Sequence, residues 1–245
     1  MPSVILKEIE GLVEGKLIRR LNRFVVEVNV DDRFVKAHLK DSGRLTELMK
    51  EDNKVLMRPK KREKTDFEVF VIYDGQTPVV VNSSIHSELG SKVLKLNGYR
   101  TLKREVKVGN SRIDLLVEKE GQKKYVEIKG CTLIKERTAL FPDAPTERGV
   151  KHVRKITELG GIVLFLVMRE DADKMMPNLS THPEFVIALR EAVKKEITVM
   201  AALLKPDIQN GRLSIKFKGY IPVIIPGIGD RNVHKQDKSA GDEAP

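Results

Sequence analysis

Residues 111–132 read SRIDLLVEKEGQKKYVEIKGCT and contain two apolar runs, each with charged residues near its centre. Asp114 lies in the first run, and Glu127 and Lys129 lie in the second. Both runs have the length and composition of strands, and residues 120–122 have the composition of a turn. Because a buried charge is costly unless it is paired, hydrogen-bonded or bound to a metal, the stretch predicts a β-hairpin whose charges serve a chemical purpose.

The spacing of these charged residues predicts a metal-dependent active site. Glu127 and Lys129 are two positions apart, so both side chains point to one face of a strand. Glu105, on the preceding predicted strand, can join Asp114 and Glu127 at the same edge. Carboxylate oxygens are the ligands that Mg²⁺ and Mn²⁺ prefer, so we predict Asp114 and Glu127 as ligands of Mg²⁺ or Mn²⁺. Lys129 would orient or deprotonate the attacking water, and Glu105 would be a further ligand or a base that orients the water. The alternative is a set of solvated ion pairs on an edge strand.

Residues 1–81 are predicted to form a small β-domain. Short strand-like runs occur at 15–20, 24–30, 33–39 and 68–73, separated by turn residues and a charged loop. About five short strands in such a length favour a closed barrel of the OB type, with a β-meander flap on a larger domain as the alternative. Basic residues of this part that are candidates for binding a nucleic-acid backbone are Arg44, Lys60, Lys61 and Arg62.

Residues 82–225 have a different pattern. Ile85, Leu89, Val93 and Leu96 are spaced as one face of a helix over 84–96. Further predicted elements are strands over 101–108, 112–118 and 125–129, a helix over 146–159, a continuously apolar strand over 162–167, a helix over 183–195 and a strand over 196–204. This order predicts an α/β domain with a mixed sheet, α+β for the whole chain, and residues 226–245 are predicted to form a disordered tail.

The segment ALFPDAPTERGVKHVRKI predicts an anion site at the start of the helix over 146–159. Asp143 and Thr146 are candidate caps, and the helix amides favour a phosphate. Arg148, Lys151 and His152 follow within the first turns and are expected to share one basic face that binds DNA. The alternative is an ordinary capped helix with a solvated basic side.

Composition restricts the class of protein. The chain of 245 residues has a formal net charge of +10, and residues 82–225 carry 26 Lys and Arg against 17 Asp and Glu, so a polyanionic partner is expected. The single cysteine, Cys131, excludes an intramolecular disulfide.

The N-terminus MPSVILKEIEGL lacks the pattern of a secretory signal, and apolar runs are too short for a membrane span, so we expect a soluble cytoplasmic protein that does not bind membranes. The oligomeric state is open, a homodimer included.

Two resemblances extend these expectations. Asp114 followed by Glu127-Ile128-Lys129 resembles the pattern of the PD-(D/E)xK nuclease superfamily. The segments RFVVEVNVDDRFVKAHLKDSGRLTEL, LKREVKVGNSRIDLLVE, YVEIKGCTL and ALFPDAPTERGVKHVRKI resemble the sugar fermentation stimulation protein A (SfsA) family. The resemblance implies an OB-type domain, a restriction endonuclease-like PD-(D/E)xK domain and DNA binding, and it places Glu105, Asp114, Glu127 and Lys129 on the nuclease core. Where that family often has His-Cys-Pro-Asn, this chain has HLKD at 38–41.

Three functions are compatible with the sequence. The first is a metal-dependent nuclease, the second is a non-catalytic DNA-binding regulatory protein that retains the nuclease scaffold, and the third is an interaction module whose polar residues pair internally. Intact acids disfavour the third. DNA binding requires positively charged groups, and carboxylates in the cleft would oppose it, so retained acids suggest a retained metal. The sequence has no helix-turn-helix or zinc-finger signature, so contacts mostly to backbone phosphates are expected.

Overall fold

The computed structural model describes residues 4–41 and 43–228. Its strands are β1 (Val4–Ile9), β2 (Val13–Asn22), β3 (Val25–Val30), β4 (Arg33–His38), β5 (Lys54–Pro59), β6 (Phe67–Asp74), β7 (Thr77–Val80), β8 (Arg100–Val108), β9 (Ser111–Lys119), β10 (Gln122–Cys131), β11 (Leu133–Lys135), β12 (Thr138–Phe141), β13 (Ile162–Val167), β14 (Lys174–Pro177), β15 (Thr198–Gln209) and β16 (Arg212–Ile221). The helices are α1 (His86–Leu96), α2 (Glu147–Glu158) and α3 (Pro183–Lys194), with a 3₁₀ turn at Ser83–Ile85 before α1.

Strands β2 to β6 form a closed barrel. The strand order is β4-β3-β2-β5-β6, and a parallel pairing of Ala37 and His38 with Phe67 and Glu68 joins β4 back to β6. The inward side chains, among them Leu17 and Val28, are fully buried. Closure confirms the predicted OB-type barrel and excludes an open β-meander.

The large sheet has seven strands in the order β1-β16-β15-β13-β10-β9-β8. Its centre is parallel, because β13 pairs in parallel with both β10 and β15, whereas the flanking pairs are antiparallel. Every residue of β13 is buried: Leu164 packs in the core that contains α1, and Phe165 packs in the core that contains α2 and α3. Helices on both faces explain the continuous apolar run and confirm an α/β domain with a mixed sheet. A separate sheet is formed by β11, β12 and β14.

Strand β1 differs from the expected division of the chain. The sequence predicts that residues 1–81 form the barrel domain, but β1 pairs antiparallel with β16 at the edge of the large sheet. Leu6 and Ile9 are buried in the core beside α1, and this burial holds the strand there. Of the predicted tail, residues 229–245 lie outside the described residues.

The barrel and the large sheet pack as one body. Phe70 and Val71 of the barrel lie in the same apolar core as Leu89 of α1. Arg169, only 3% exposed, donates to Asp74 of the barrel at 3.0 Å while it also pairs with Asp171. The junction therefore holds the barrel loops beside the large sheet. Among the described residues, no helix combines the length and hydropathy needed to cross a bilayer.

Candidate active site

A fork between β9 and β10 forms the floor of the candidate site. The antiparallel ladder of these strands runs only as far as the pair Leu115–Val126. Beyond it β9 stays paired with β8, and β10 continues in parallel beside β13. The Asp114 carboxylate lies in the opening and accepts the Ile128 amide N–H at 2.7 Å. The divergence of the strands leaves room for polar side chains that a continuous ladder would exclude.

Glu127 is the centre of a hydrogen-bonded cluster on one face of β10. Its Oε1 accepts from Lys129 Nζ at 2.6 Å and lies 2.6 Å from His152 Nδ1 of α2. Both contacts are buried or nearly so, since the Glu127 side chain is 4% exposed and that of Lys129 is 13% exposed. The two-residue period of a strand thus brings Glu127 and Lys129 together, as expected.

The two central carboxyls have opposite pKa shifts. Burial, followed by repulsion from Glu127, raises the pKa of Asp114 to about 6, although the Ile128 amide opposes the shift. Burial would also raise the pKa of Glu127, but the hydrogen bond from His152 and the Lys129 ammonium outweigh it, so the pKa of Glu127 is lowered. At neutral pH both groups are therefore mainly ionised in a confined space.

The two carboxylates at the fork supply oxygen atoms of the kind that a hard divalent cation prefers as ligands. Glu127 Oε2 is buried and has no hydrogen-bond partner among the described residues. An unpaired buried carboxylate oxygen is costly, and a cation that also touches Asp114 would remove that cost. Asp114 and Glu127 are therefore the residues that could hold Mg²⁺ or Mn²⁺.

Glu105 lies at the same cleft but is engaged elsewhere. It falls between the β8–β9 pairs Arg104–Leu115 and Val106–Ile113, which places it opposite Asp114. Its backbone has a positive φ of 53°, and its carboxylate pairs with Arg112 Nε at 3.1 Å. Of the four predicted catalytic residues, Glu105 is the most exposed.

These residues line a cleft of about 460 Å³ between the barrel and the large sheet. Arg23, Asp41 and Gly43 come from the barrel, and Arg112 and Arg148 come from the large domain. The cleft therefore combines acids at its floor with arginines along its walls. This mixed charge suits a metal beside a phosphate-bearing ligand.

Asp143 connects the cleft to the barrel rather than capping α2. Its Oδ2 accepts the Leu45 amide N–H at 3.1 Å, across the junction. An added Cβ at Gly43 would lie 2.5 Å from the same oxygen, so only glycine allows this approach. Thr146 is the observed cap of α2, because its Oγ1 accepts the Gly149 amide N–H at 3.0 Å. Of the two predicted caps, only Thr146 caps the helix.

The predicted basic face of α2 is only partly present. Arg148 is exposed and lines the cleft, and Lys151 is exposed in a neighbouring depression with Asn110 and Glu147. His152 is instead 7% exposed and faces Glu127. The expectation that His152 lies on the solvated face is wrong, because the imidazole packs inward against the Glu127 carboxylate. A contact between His152 and DNA phosphates is therefore not supported.

The basic loop of the barrel has a structural role that the sequence did not reveal. Glu68 is 1% exposed, and its carboxylate pairs with Lys40 at 2.6 Å and Lys60 at 2.8 Å, with Arg62 at 3.8 Å. Lys60 and Arg62 thus neutralise a buried acid. Lys61 and Arg44 are exposed, and neither is among the described residues that line the cleft.

Sequence reasoning did not select Arg23, Arg112 or His86, all of which line the cleft. His86 begins α1, and burial lowers its pKa to about 4, so it is neutral at physiological pH. An added Cβ at Gly130 would lie 2.2 Å from His86 Cε1. A glycine inside a strand pattern, directly after Lys129, was the available signal for this close approach.

Comparison with known proteins identifies the family. Residues 78–210 match the family described as "Sugar fermentation stimulation protein RE domain", and residues 18–81 match "SfsA N-terminal OB domain". The chain belongs to the sugar fermentation stimulation protein (SfsA) family. An SfsA relative, a sugar fermentation stimulation protein homolog of Methanothermobacter thermautotrophicus, is 38% identical over 234 residues, which are 87% of this chain and 98% of the relative. A Saccharolobus solfataricus homolog is 40% identical over 78% of each chain.

A solved SfsA structure agrees with the architecture. The structure described as Pyrococcus furiosus SfsA in complex with Ca²⁺ superposes with a TM-score of 0.83 and 26% identity, over 91% of this chain and all of that one. The resemblance to SfsA proteins is thereby confirmed, and so is the division into an OB domain and an RE domain with a mixed sheet.

Proposed function

We propose that the protein is a cytoplasmic DNA-binding protein that hydrolyses phosphodiester bonds with Mg²⁺ or Mn²⁺ at the Asp114–Glu127 site. The observation that carries the proposal is the β9–β10 fork, where two carboxylates and Lys129 share one cleft with arginines of both domains. The Ca²⁺ complex of the Pyrococcus furiosus relative supports divalent-metal binding in the family, because Ca²⁺ also prefers oxygen ligands.

Each residue has a separate role in this proposal. Asp114 and Glu127 would hold the cation, which supplies Lewis-acid polarisation of a phosphate oxygen. His152 would position Glu127 through the 2.6 Å contact to Oε1, and Oε2, which has no hydrogen-bond partner among the described residues, would bind the cation. Lys129 would orient the attacking water and stabilise negative charge on the phosphate.

The DNA contact would be mainly electrostatic. Arg148 at the start of α2 and Arg112 at the cleft wall would bind backbone phosphates, aided by the amides at the helix N-terminus. Lys61 and Arg44 remain candidates for outlying contacts, whereas Lys60 and Arg62 are partly engaged by Glu68. A homodimer stays a prediction.

The second candidate is a non-catalytic DNA-binding regulatory protein. Lys129 and His152 both contact Glu127 Oε1, and Arg112 pairs with Glu105, so all five of these polar groups already have partners. The family name refers to stimulation of sugar fermentation and not to cleavage. On this alternative the acids stabilise the scaffold and the arginines bind DNA.

The test is incubation of the purified full chain with labelled linear, nicked and branched DNA, with and without Mn²⁺. We expect Mn²⁺-dependent cleavage that is abolished in Asp114→Asn and in Lys129→Ala, while DNA binding by Lys129→Ala stays nearly intact. Asp207→Asn is the matched control, because Asp207 pairs with Lys216 on β16, towards the opposite side of the sheet.

Two results would decide against hydrolysis. Cleavage that survives Asp114→Asn would indicate a contaminating nuclease. Tight DNA binding by the unmodified chain with no cleavage of any substrate would favour the regulatory alternative.

A further inference from the structure

A second group of metal-binding residue types lies where α2 and α3 begin. Glu147 is the first residue of α2, His182 is the residue before α3, and Glu184 is in the first turn of α3. Asn178 joins the two loops: its amide N–H donates to Phe141 O at 2.7 Å, and its side chain donates to Pro142 O at 3.0 Å. The loops before the two helices are therefore tied together.

The three side chains converge on one point. One ligand atom from each of Glu147, His182 and Glu184 can be chosen so that all lie within 4.8 Å of one another. His182 Nε2 is 3.7 Å from Glu147 Oε1. Both glutamates are exposed, so small side-chain rotations can shorten these separations.

His182 provides the independent observation. The residue is 7% exposed, and its Nε2 is buried without a hydrogen-bond partner in the part of the chain that the structure describes. Carboxylates in the first turn of a helix are explained by the helix dipole alone. That effect does not explain an unsatisfied imidazole nitrogen directed at them, since a buried polar atom without a partner is costly.

We propose that Glu147, His182 and Glu184 bind one transition-metal ion of the Zn²⁺ class, separate from the Asp114–Glu127 site. An imidazole nitrogen with two carboxylate oxygens is a ligand set that Zn²⁺ accepts, with a fourth position left for water. Two carboxylates balance the charge of the ion. The all-oxygen pair at the β9–β10 fork favours Mg²⁺ or Mn²⁺ instead, so the two sites differ in selectivity.

The ion would stabilise the start of α2. It would link Glu147 to the loop before α3, next to Arg148 and the Thr146 cap. Binding to the folded state alone raises the midpoint of thermal unfolding. The proposal therefore predicts both Zn²⁺ affinity and a Zn²⁺-dependent gain in stability.

The test is a Zn²⁺ titration of the chelator-treated full chain in competition with a chromophoric chelator, together with thermal unfolding. We expect one high-affinity ion in the unmodified chain, and Glu184→Gln and His182→Ala should each weaken its binding by about 100-fold. Glu184→Gln changes an exposed residue, so it serves if His182→Ala fails to fold. Glu158→Gln, an exposed acid at the other end of α2, is the matched control and should bind Zn²⁺ normally.

Asp114→Asn separates this site from the one at the fork. If it retains the ion and the gain in thermal stability, the two sites are distinct, as proposed. Loss of Zn²⁺ binding in Asp114→Asn would overturn the proposal, and so would unchanged binding in Glu184→Gln.

Discussion

Asp114 links the ionisation of one residue to the stability of the fold. Its pKa is about 6 in the folded chain against 3.8 for an unperturbed aspartate, so the folded state holds the proton more strongly. The free-energy cost of burying the ionised carboxylate is absent below pH 3.8, and it reaches its full size once the pH has risen through 6. In metal-free protein, Asp114→Asn should therefore raise the free energy of unfolding at pH 8 by up to about 3 kcal/mol, with the gain vanishing near pH 4. Urea unfolding at both pH values measures this.

Asp171 provides a control, because its pKa is shifted in the opposite direction to that of Asp114. Burial would raise its pKa, but the Arg169 guanidinium lowers it below the usual value. Asp171→Asn should therefore destabilise the chain at neutral pH, and its deficit should shrink as the pH falls. A pH-independent effect of Asp114→Asn would contradict the burial of its charge.

Arg148 is expected to bind a DNA phosphate. Arg148→Ala should weaken binding to all sequences and reduce the slope of log affinity against log salt by about 1. Arg212, on β16 near the opposite edge of the sheet, is the control. Fluorescence anisotropy over a salt series gives both slopes, and an unchanged slope for Arg148→Ala would argue against the contact.

At the residue scale, the sequence predicted the floor of the site but not its surroundings. The period of a strand was sufficient to place Glu127 beside Lys129, since it depends only on local geometry. The inward position of His152 depends on where α2 packs over β10, which no local pattern specifies. The same holds for Lys60, whose partner Glu68 became visible only in the folded barrel.

Two threonines, the cap Thr146 and Thr157 inside α2, test whether the N-terminal cap stabilises this helix. Thr146 caps the helix through Gly149, whereas Thr157 Oγ1 donates to Val153 O at 2.8 Å within it. Thr146→Ala should cost about 1 kcal/mol of stability and weaken DNA binding, because Arg148 lies in the first turn. Thr157→Ala should be neutral or slightly stabilising, since alanine favours helix and the lost bond competes with the helix ladder. Equal losses in thermal unfolding would contradict a specific role for the cap.

At the element scale, predicted helices and central strands agree with the structure because each has one clear period. Strand β5 was missed because its centre, Val55-Leu56-Met57, does not alternate. Leu56 packs in the core beside α1, while its two neighbours face the barrel interior. The sequence of a barrel strand that is buried on both faces is a short apolar run, and such a run does not distinguish a strand from a helix. The sequence of β16 contained a usable signal, because Leu213, Ile215 and Phe217 alternate with polar residues as in a strand.

At the scale of the whole molecule, Arg169 tests the junction. It is buried between Asp171 and Asp74, so Arg169→Ala leaves these acids without their partner and should destabilise the chain by about 3 kcal/mol or more. Arg137 makes a similar two-point pair with Asp173, but both are exposed. Arg137→Ala should therefore change denaturant unfolding little. If Arg169→Ala and Arg137→Ala lowered the free energy of unfolding by similar amounts, the ion pairs of Arg169 would not be what holds the junction together.

The contribution of the barrel to the cleft could not be predicted from the sequence. Arg23 and Asp41 are separated from Asp114 by more than 70 residues of sequence, and their meeting depends on how the two domains pack. Burial raises the pKa of Asp41 to about 6, a further sign that the junction encloses polar groups.

The position of β1 has a practical consequence for dissecting the protein. A fragment that starts at residue 82 would lack the strand that covers β16, and it would present a row of bare amides and carbonyls. Such an edge templates strand addition from a second molecule, so the fragment would be expected to self-associate or precipitate. A fusion that supplies residues 4–9 in trans, or grafts them after β16, would be the more faithful way to isolate the larger half.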